Sequence, residues 1–172
     1  MSAIGFIGYP GTGKDAIAQE LVSNHGYERI AFGDAVKQML LDLDPTYKDS
    51  YKLLDYYKRR GYAYTREKLQ NLGETLRGID REFWVHRVEE TGIPKKAVFT
   101  DIRYFNELAY VQRNCGGFII AISREGRGKI NEHQSEINTG KLLGCADAVI
   151  NNNSTIERAA EEIIKRVQDR RI

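Results

Sequence analysis

With 172 residues, 26 lysines and arginines against 24 acidic residues, and 41% hydrophobic content, the chain has the makeup of one folded domain. A net charge of +2 is too mild for binding nucleic acid on electrostatics alone, and the apolar fraction excludes a disordered chain. No run approaches the roughly 18 consecutive apolar residues of a membrane helix, and no secretory signal opens the chain. Cys115 and Cys145 lack the spacing of a zinc site or a disulfide framework, so a reducing cytoplasm is the expected compartment.

Ala3–Ile7 predicts a first strand, and Gly8-Tyr9-Pro10-Gly11-Thr12-Gly13 follows at once. Ile17, Leu21 and Val22 then share one helical face, with Gly26 as the stop. Ile30–Phe32 predicts a second strand, and Val36, Met39, Leu40 and Leu43 the next helical stripe. From Pro45 to about Gly92 the pattern is helical, strongest around Leu69, Leu72 and Leu76 and around Phe83, Val85 and Val88. Ala97–Thr100 predicts a third strand, Phe105–Val111 a helix, and Gly117–Ile122 a fourth strand. Ser123–Gly140 shows no apolar periodicity and predicts a mobile loop or a short exposed helix pair. Ala148–Ile150 predicts a fifth strand. Ser154-Thr155-Ile156-Glu157 has capping-box spacing before a last helix bearing Ile156, Ala160, Ile163 and Val167.

Strands separated by helices imply a mostly parallel five-stranded sheet with helices on both faces, an α/β domain over 1–172. Two inserts interrupt it, at about 45–92 and 123–140. Ligands of such sheets bind beyond the carboxyl ends of the strands. That places Gly8–Lys14, Asp101–Arg103 and Ser123–Arg127 on one rim.

Gly8-x-x-x-x-Gly13-Lys14, after a strand and before a helix, is the phosphate-binding loop pattern. Its glycines let backbone N–H groups turn toward phosphate oxygens, and Lys14 adds a mobile charge. The residue after the lysine is Asp15 where a metal-touching hydroxyl is usual. This carboxylate either holds Mg²⁺ or only complements the helix dipole. Asp101 can orient the metal or the attacking oxygen, and Arg103 can grip a phosphate bidentately; a plain surface pair is the simpler alternative. Arg124 and Arg127, on a loop able to close, can neutralise charge on a transferring phosphoryl group, although a solvated charge run looks the same in sequence. His133 and Glu136 have metal-like spacing without further ligands, which argues against zinc.

Between Lys48 and Lys68 stand seven lysines and arginines, three acidic residues, and Tyr51, Tyr56, Tyr57, Tyr62 and Tyr64, with Tyr47 just before. Such a stretch can hold a nucleotide or a single strand by stacking and phosphate pairing. It equally suits an amphipathic helix pair with its tyrosines on the core.

The Gly13-Lys14-Asp15 loop, Phe32 to Leu40 with Lys37, Arg66-x-x-x-Gln70-x-Leu72-Gly73 and Phe83-Trp84-Val85 occur in order. Asp101-x-Arg103 with Asn106-Glu107, then Arg124, His133-x-x-Glu136 and the segment 147–156 complete the series. Together they resemble the bacteriophage deoxynucleoside monophosphate kinases, across nearly the whole chain. The resemblance implies a three-layer phosphate-loop NTPase-type domain with a helical acceptor-binding insert and a lid. It implies ATP on Gly11, Thr12, Gly13, Lys14, Asp15 and Ala16, with Asn151 and Asn152 near the adenine. The monophosphate would lie among Phe32, Lys37, Arg66, Gln70, Trp84, Asp101, Arg103 and Glu136. Trp84 reads equally as a core aromatic. Arg124 and Arg127 would close over both phosphates, in the host cytoplasm if the protein is phage-encoded.

The expected reaction is Mg²⁺-dependent transfer of the ATP γ-phosphoryl group to a deoxynucleoside 5′-monophosphate, with Lys14, Arg124, Arg127 and Asp101 as its catalytic residues. Neither membrane nor nucleic acid is expected as a partner. Which bases are accepted, and whether the protein forms a homodimer, are not written in the sequence. One rival is another small phosphate-loop kinase, such as one acting on dephospho-coenzyme A, whose hydroxyl acceptor would need a base such as Asp101. Another, of a different class, is a nucleic-acid-stimulated ATPase built on the tyrosine-rich stretch. No Asn-Lys-x-Asp string supports a guanine-nucleotide switch.

Overall fold

Successive residues of the first strand are apolar on both sides, which demands a sheet covered on both faces. The computed structural model describes residues 2–43, 63–129 and 134–170. In chain order the elements are β1 (Ser2–Ile7), α1 (Lys14–His25), β2 (Glu28–Ile30), α2 (Phe32–Leu43), α3 (Ala63–Ile79) and α4 (Phe83–Glu89). There follow β3 (Lys96–Phe99), α5 (Phe105–Arg113), β4 (Phe118–Ser123), α6 (Gln134–Leu142), β5 (Ala148–Asn151) and α7 (Ile156–Asp169). The tyrosines at 47, 51, 56, 57 and 62 and His133 lie outside the described residues, as does the side chain of Tyr64. No helix among the described residues is long and apolar enough to cross a membrane. Contacts divide the chain into two compact units, one of 1–31 with 93–172, the other Phe32–Gly92.

In the first unit five parallel strands run in the order β2-β3-β1-β4-β5. Ile4, Phe6, Val98, Ile120 and Ile122 face α1 and α7, meeting Ile17, Leu21, Ala160 and Ile163 in one buried cluster. On the opposite face Gly5 leaves room for the side chains of Ile102, of Ile119 on β4 and of Val111 on α5, the helix that covers the sheet there. This is the architecture the alternating pattern implied. Gly26 ends α1 in the left-handed region at φ 70°, as its position after the apolar stripe suggested.

Three details differ from the sequence expectation. The second strand is Glu28–Ile30, and Phe32 is already the first residue of α2, its ring buried at 2% exposure. The cap of α7 is Thr155, whose hydroxyl accepts from the Arg158 N–H, so the capping spacing lies one residue later than Ser154. The described residues of the 123–140 segment do not form an exposed helix pair. Those residues hold a turn at 124–127 and, from Gln134, α6, which buries Ser135, Glu136, Thr139 and Leu142. Those positions keep helical spacing with polar side chains, so the face is invisible to a search for apolar periodicity.

In the helical unit Leu40 and Leu41 of α2 pack against Leu69 and Leu72 of α3. Trp84 is 1% exposed, stands edge-on to Phe83, and donates its indole N–H to the Gly73 carbonyl at 3.0 Å. Both the Trp84 and the Phe32 rings are enclosed, and Trp84 ties α4 to α3. Trp84→Phe should lower unfolding free energy by about 0.5–1.5 kcal/mol, the net worth of one hydrogen bond, because the Gly73 carbonyl still accepts from the Arg77 guanidinium at 3.2 Å. Denaturant titration read by far-ultraviolet circular dichroism measures this, and a change under a few tenths would remove the tie.

Candidate functional site

The chain turns sharply from β1 into α1, and glycine is required where it does so. Gly13 caps α1 with φ 95°, and a Cβ there would collide with the Asn152 carboxamide. At Gly8 a Cβ would collide with the Ile122 carbonyl. Thr12, buried at 1% exposure, closes the loop by donating its hydroxyl to the Tyr9 carbonyl at 2.9 Å. The Lys14 ammonium reaches back to donate to the Gly8 and Tyr9 carbonyls, each at 2.8 Å. The head of α1 is thus a ring of backbone around one cation, open to an anion at a helix N-terminus.

Burial lowers the Lys14 pKa from its ordinary 10.5 to about 8; Arg103 pushes the same way, while Asp15 and Asp101 oppose it. Those signs put Arg103, Asp15 and Asp101 within electrostatic reach of Lys14. Asp15 is exposed, whereas Asp101 and Arg103 are half-buried. The folded pKa lies below the unfolded one, so the unfolded chain binds more protons between about pH 8 and 10.5. Burying the charged ammonium therefore costs stability in full below pH 8, and the cost fades as pH rises through that window. Relative to Lys14→Met, the native protein should gain on the order of 2–3 kcal/mol between pH 8 and pH 10. Parallel stability curves for the two proteins would contradict this.

The loop bearing Asp101 and Arg103 is held by a residue the sequence did not mark as functional. Glu107, 1% exposed, accepts the backbone N–H of Arg103 at 2.8 Å and of Tyr104 at 3.1 Å. A glutamate three residues into a helix and receiving the preceding N–H groups is the signal that could have found it.

Arg124 to Arg127 forms a turn closed by the Arg127 N–H on the Arg124 carbonyl at 3.1 Å, with Gly126 at φ 70°. Both arginines are exposed. Arg127 lies across the phosphate loop: its Nε would stand 3.4 Å from a Cβ on Gly11. Behind the loop, Asn152 donates its Nδ2 to the Thr12 carbonyl at 2.8 Å while only 2% exposed. That enclosed carboxamide braces the loop. Asn151 is exposed and accepts from the Ser123 hydroxyl. On α6, Glu136 is buried at 1% exposure, and Gly140 lies against the Tyr9 hydroxyl.

The first unit therefore brings together Gly11, Thr12, Gly13, Lys14, Asp15, Asp101, Arg103 and Arg127. In the helical unit Lys37, 8% exposed, pairs with Asp34 at 2.8 Å. Arg66 and Gln70, four residues apart on α3, share one face and are half-buried.

A parallel sheet in this order, with a glycine-lysine loop between its central strand and first helix, is the fold of the phosphate-loop kinases. The structure is similar to shikimate kinase from Aquifex aeolicus, with a TM-score of 0.56 and 13% identity over 100% of this chain and 99% of that one. It is also similar to dephospho-CoA kinase from Campylobacter jejuni, with a TM-score of 0.51 and 14% identity over 100% of both chains. Residues 4–127 match the family model described as AAA domain, and the chain belongs to that family. In sequence it is 27% identical, over 98% of this chain and 97% of the other, to a protein of Acanthamoeba polyphaga mimivirus provisionally named deoxynucleotide monophosphate kinase.

Proposed function

We propose that the protein transfers the γ-phosphoryl group of ATP to a deoxynucleoside 5′-monophosphate. The observation that carries the reading is the gathering of three cations, Lys14, Arg103 and Arg127, around one backbone cradle for phosphate. Phosphoryl transfer asks mainly for positioning and charge stabilisation, and this is what such an arrangement supplies. The monophosphate as acceptor rests on the likeness to the mimivirus protein along both full lengths. That relative comes from an amoeba virus, so nothing in it singles out bacteriophages.

In this reading the N–H groups of Gly11 to Ala16 hold the donor phosphates, and Asn151 stays on the adenine side. Arg103 takes the acceptor phosphate, Arg124 and Arg127 the transferred group, and Glu136 stays among the residues assigned to the monophosphate. Lys37, Arg66 and Gln70 are the helical unit's contacts with the monophosphate. Asp15 and Asp101 fit a magnesium ion that keeps water and takes most of its remaining ligands from phosphate. Among the described residues no group of three or more potential ligands forms a metal cage, and none is needed for that use. When bound, the ion would neutralise charge on the phosphates. The acceptor is already ionised, so no strong base is required.

Asp101 beside the phosphate loop also suits a kinase with a hydroxyl acceptor, as the fold likeness to dephospho-CoA kinase illustrates. A coupled assay of ADP release decides between them. It should cover deoxy- and ribonucleoside monophosphates, dephospho-coenzyme A, shikimate and single-stranded DNA. Release with deoxynucleoside monophosphates alone is the expected result. Release with a hydroxyl acceptor alone would replace this reading, and stimulation only by DNA would move the protein to another class.

A further inference from the structure

We propose that Asn153 is the positioning residue of the arginine turn, setting where Arg127 stands over the phosphate loop. In a four-residue turn closed between its first and last residues, the N–H of the second has no partner inside the turn. That residue is Glu125, and its N–H donates to Asn153 Oδ1 at 2.9 Å. The carboxamide of Asn153 thus completes the turn from another part of the chain.

What Asn153 is attached to gives the bond its consequence. Its neighbour Asn152 is anchored twice, by its own N–H on the Ser123 carbonyl and by Nδ2 on the Thr12 carbonyl, both at 2.8 Å. Asn151 in turn takes the Ser123 hydroxyl. Three consecutive side chains, from the last residue of β5 onward, therefore grip the end of β4, the phosphate loop and the arginine turn. Two adjacent residues leave little slack between what Asn152 holds and what Asn153 holds. The register of Arg127 over Gly11 is transmitted through this short run.

The proposed reaction requires no contact between Asn153 and a substrate, so its part is to position. Only an acceptor oxygen at that distance is needed. Aspartate supplies one, and alanine does not. Asn153 and Glu125 are both exposed, so either substitution should leave the fold intact.

The inference rests on the reading of Arg127 as a phosphate ligand, and the test separates the two. Amide hydrogen exchange at Glu125 is measured in the ligand-free protein, and ATP affinity and turnover in Asn153→Ala, Asn153→Asp, Arg127→Ala and the Asn153→Ala/Arg127→Ala double variant. Asn153→Ala should speed Glu125 exchange and lower kcat/KM by roughly fivefold, the ordinary worth of one such bond. Asn153→Asp should restore at least half of that loss. In the Arg127→Ala background the Asn153→Ala change should add nothing, because it acts through that side chain. Unchanged Glu125 exchange, or an equal loss from Asn153→Ala with and without Arg127, would overturn the proposal. So would an Asn153→Asp variant as impaired as Asn153→Ala. If no monophosphate is turned over, the functional reading falls instead, while exchange and the same cycle on ATP affinity still judge Asn153.

Discussion

Lys14→Ala is expected to lower kcat/KM by at least roughly a thousandfold while the protein stays folded. The ammonium now donates to the Gly8 and Tyr9 carbonyls, which face the loop mouth. A donor phosphate would draw the same cation toward itself, and it is the charge nearest the transferred group. Alanine removes that charge and relieves the penalty of burying it, which offsets the loss of the donor to the buried Gly8 carbonyl, while water can reach the half-buried Tyr9. Stability should therefore change far less than activity. Lys14→Arg should rescue little, because a planar guanidinium does not fit the space closed by the two carbonyls and Thr12. A coupled kinase assay beside a thermal melt makes the comparison. Near-normal turnover in a folded Lys14→Ala protein would remove the phosphate-loop assignment.

Arg127→Ala should cost roughly a hundredfold in kcat/KM, the scale of losing one preorganised charged donor. Because Arg127 already rests across Gly11, ATP affinity measured alone should fall as well. An arginine recruited only in the transition state would leave that affinity untouched. Arg124→Ala should spare ATP affinity, since nothing places that side chain on the loop. Lysine at 127 should rescue in part, keeping charge without the planar fork. If both alanine variants turn over normally, the turn is an ordinary solvated loop.

Most of the sheet was legible because its strands are apolar runs and its first helix starts on a glycine-lysine loop. These signals are local and strong. Two kinds of feature were not legible. One is burial of polar side chains: α6 encloses Ser135, Glu136 and Thr139, and periodicity counted in apolar residues passes over it. The other is long-range bonding by ordinary residues. Asn152 reaches Thr12 across 140 positions, and Asn153 reaches Glu125 across 28. Nothing at positions 151 to 153 announces which asparagine turns inward. Trp84 shows the converse, because an aromatic in a motif carries the same letter whether it stacks on a ligand or fills a core. Its bond to Gly73 decides for the core.

The strand order also dictates when the sheet can be assembled. β3 sits between β1 and β2, yet it is separated from them in the chain by the whole helical unit. On a growing polypeptide, β1 therefore has neither neighbour to pair with until the stretch from Phe32 to Gly92 has emerged. Closing so large a loop carries an entropy cost that grows only slowly with its length. Prior compaction of the helices would shorten the distance to be closed. Early packing of Leu40 and Leu41 on Leu69 and Leu72 would thus hasten the seating of the central strand. Loosening that leucine contact should slow refolding of the phosphate-loop unit, even though none of the four residues belongs to it.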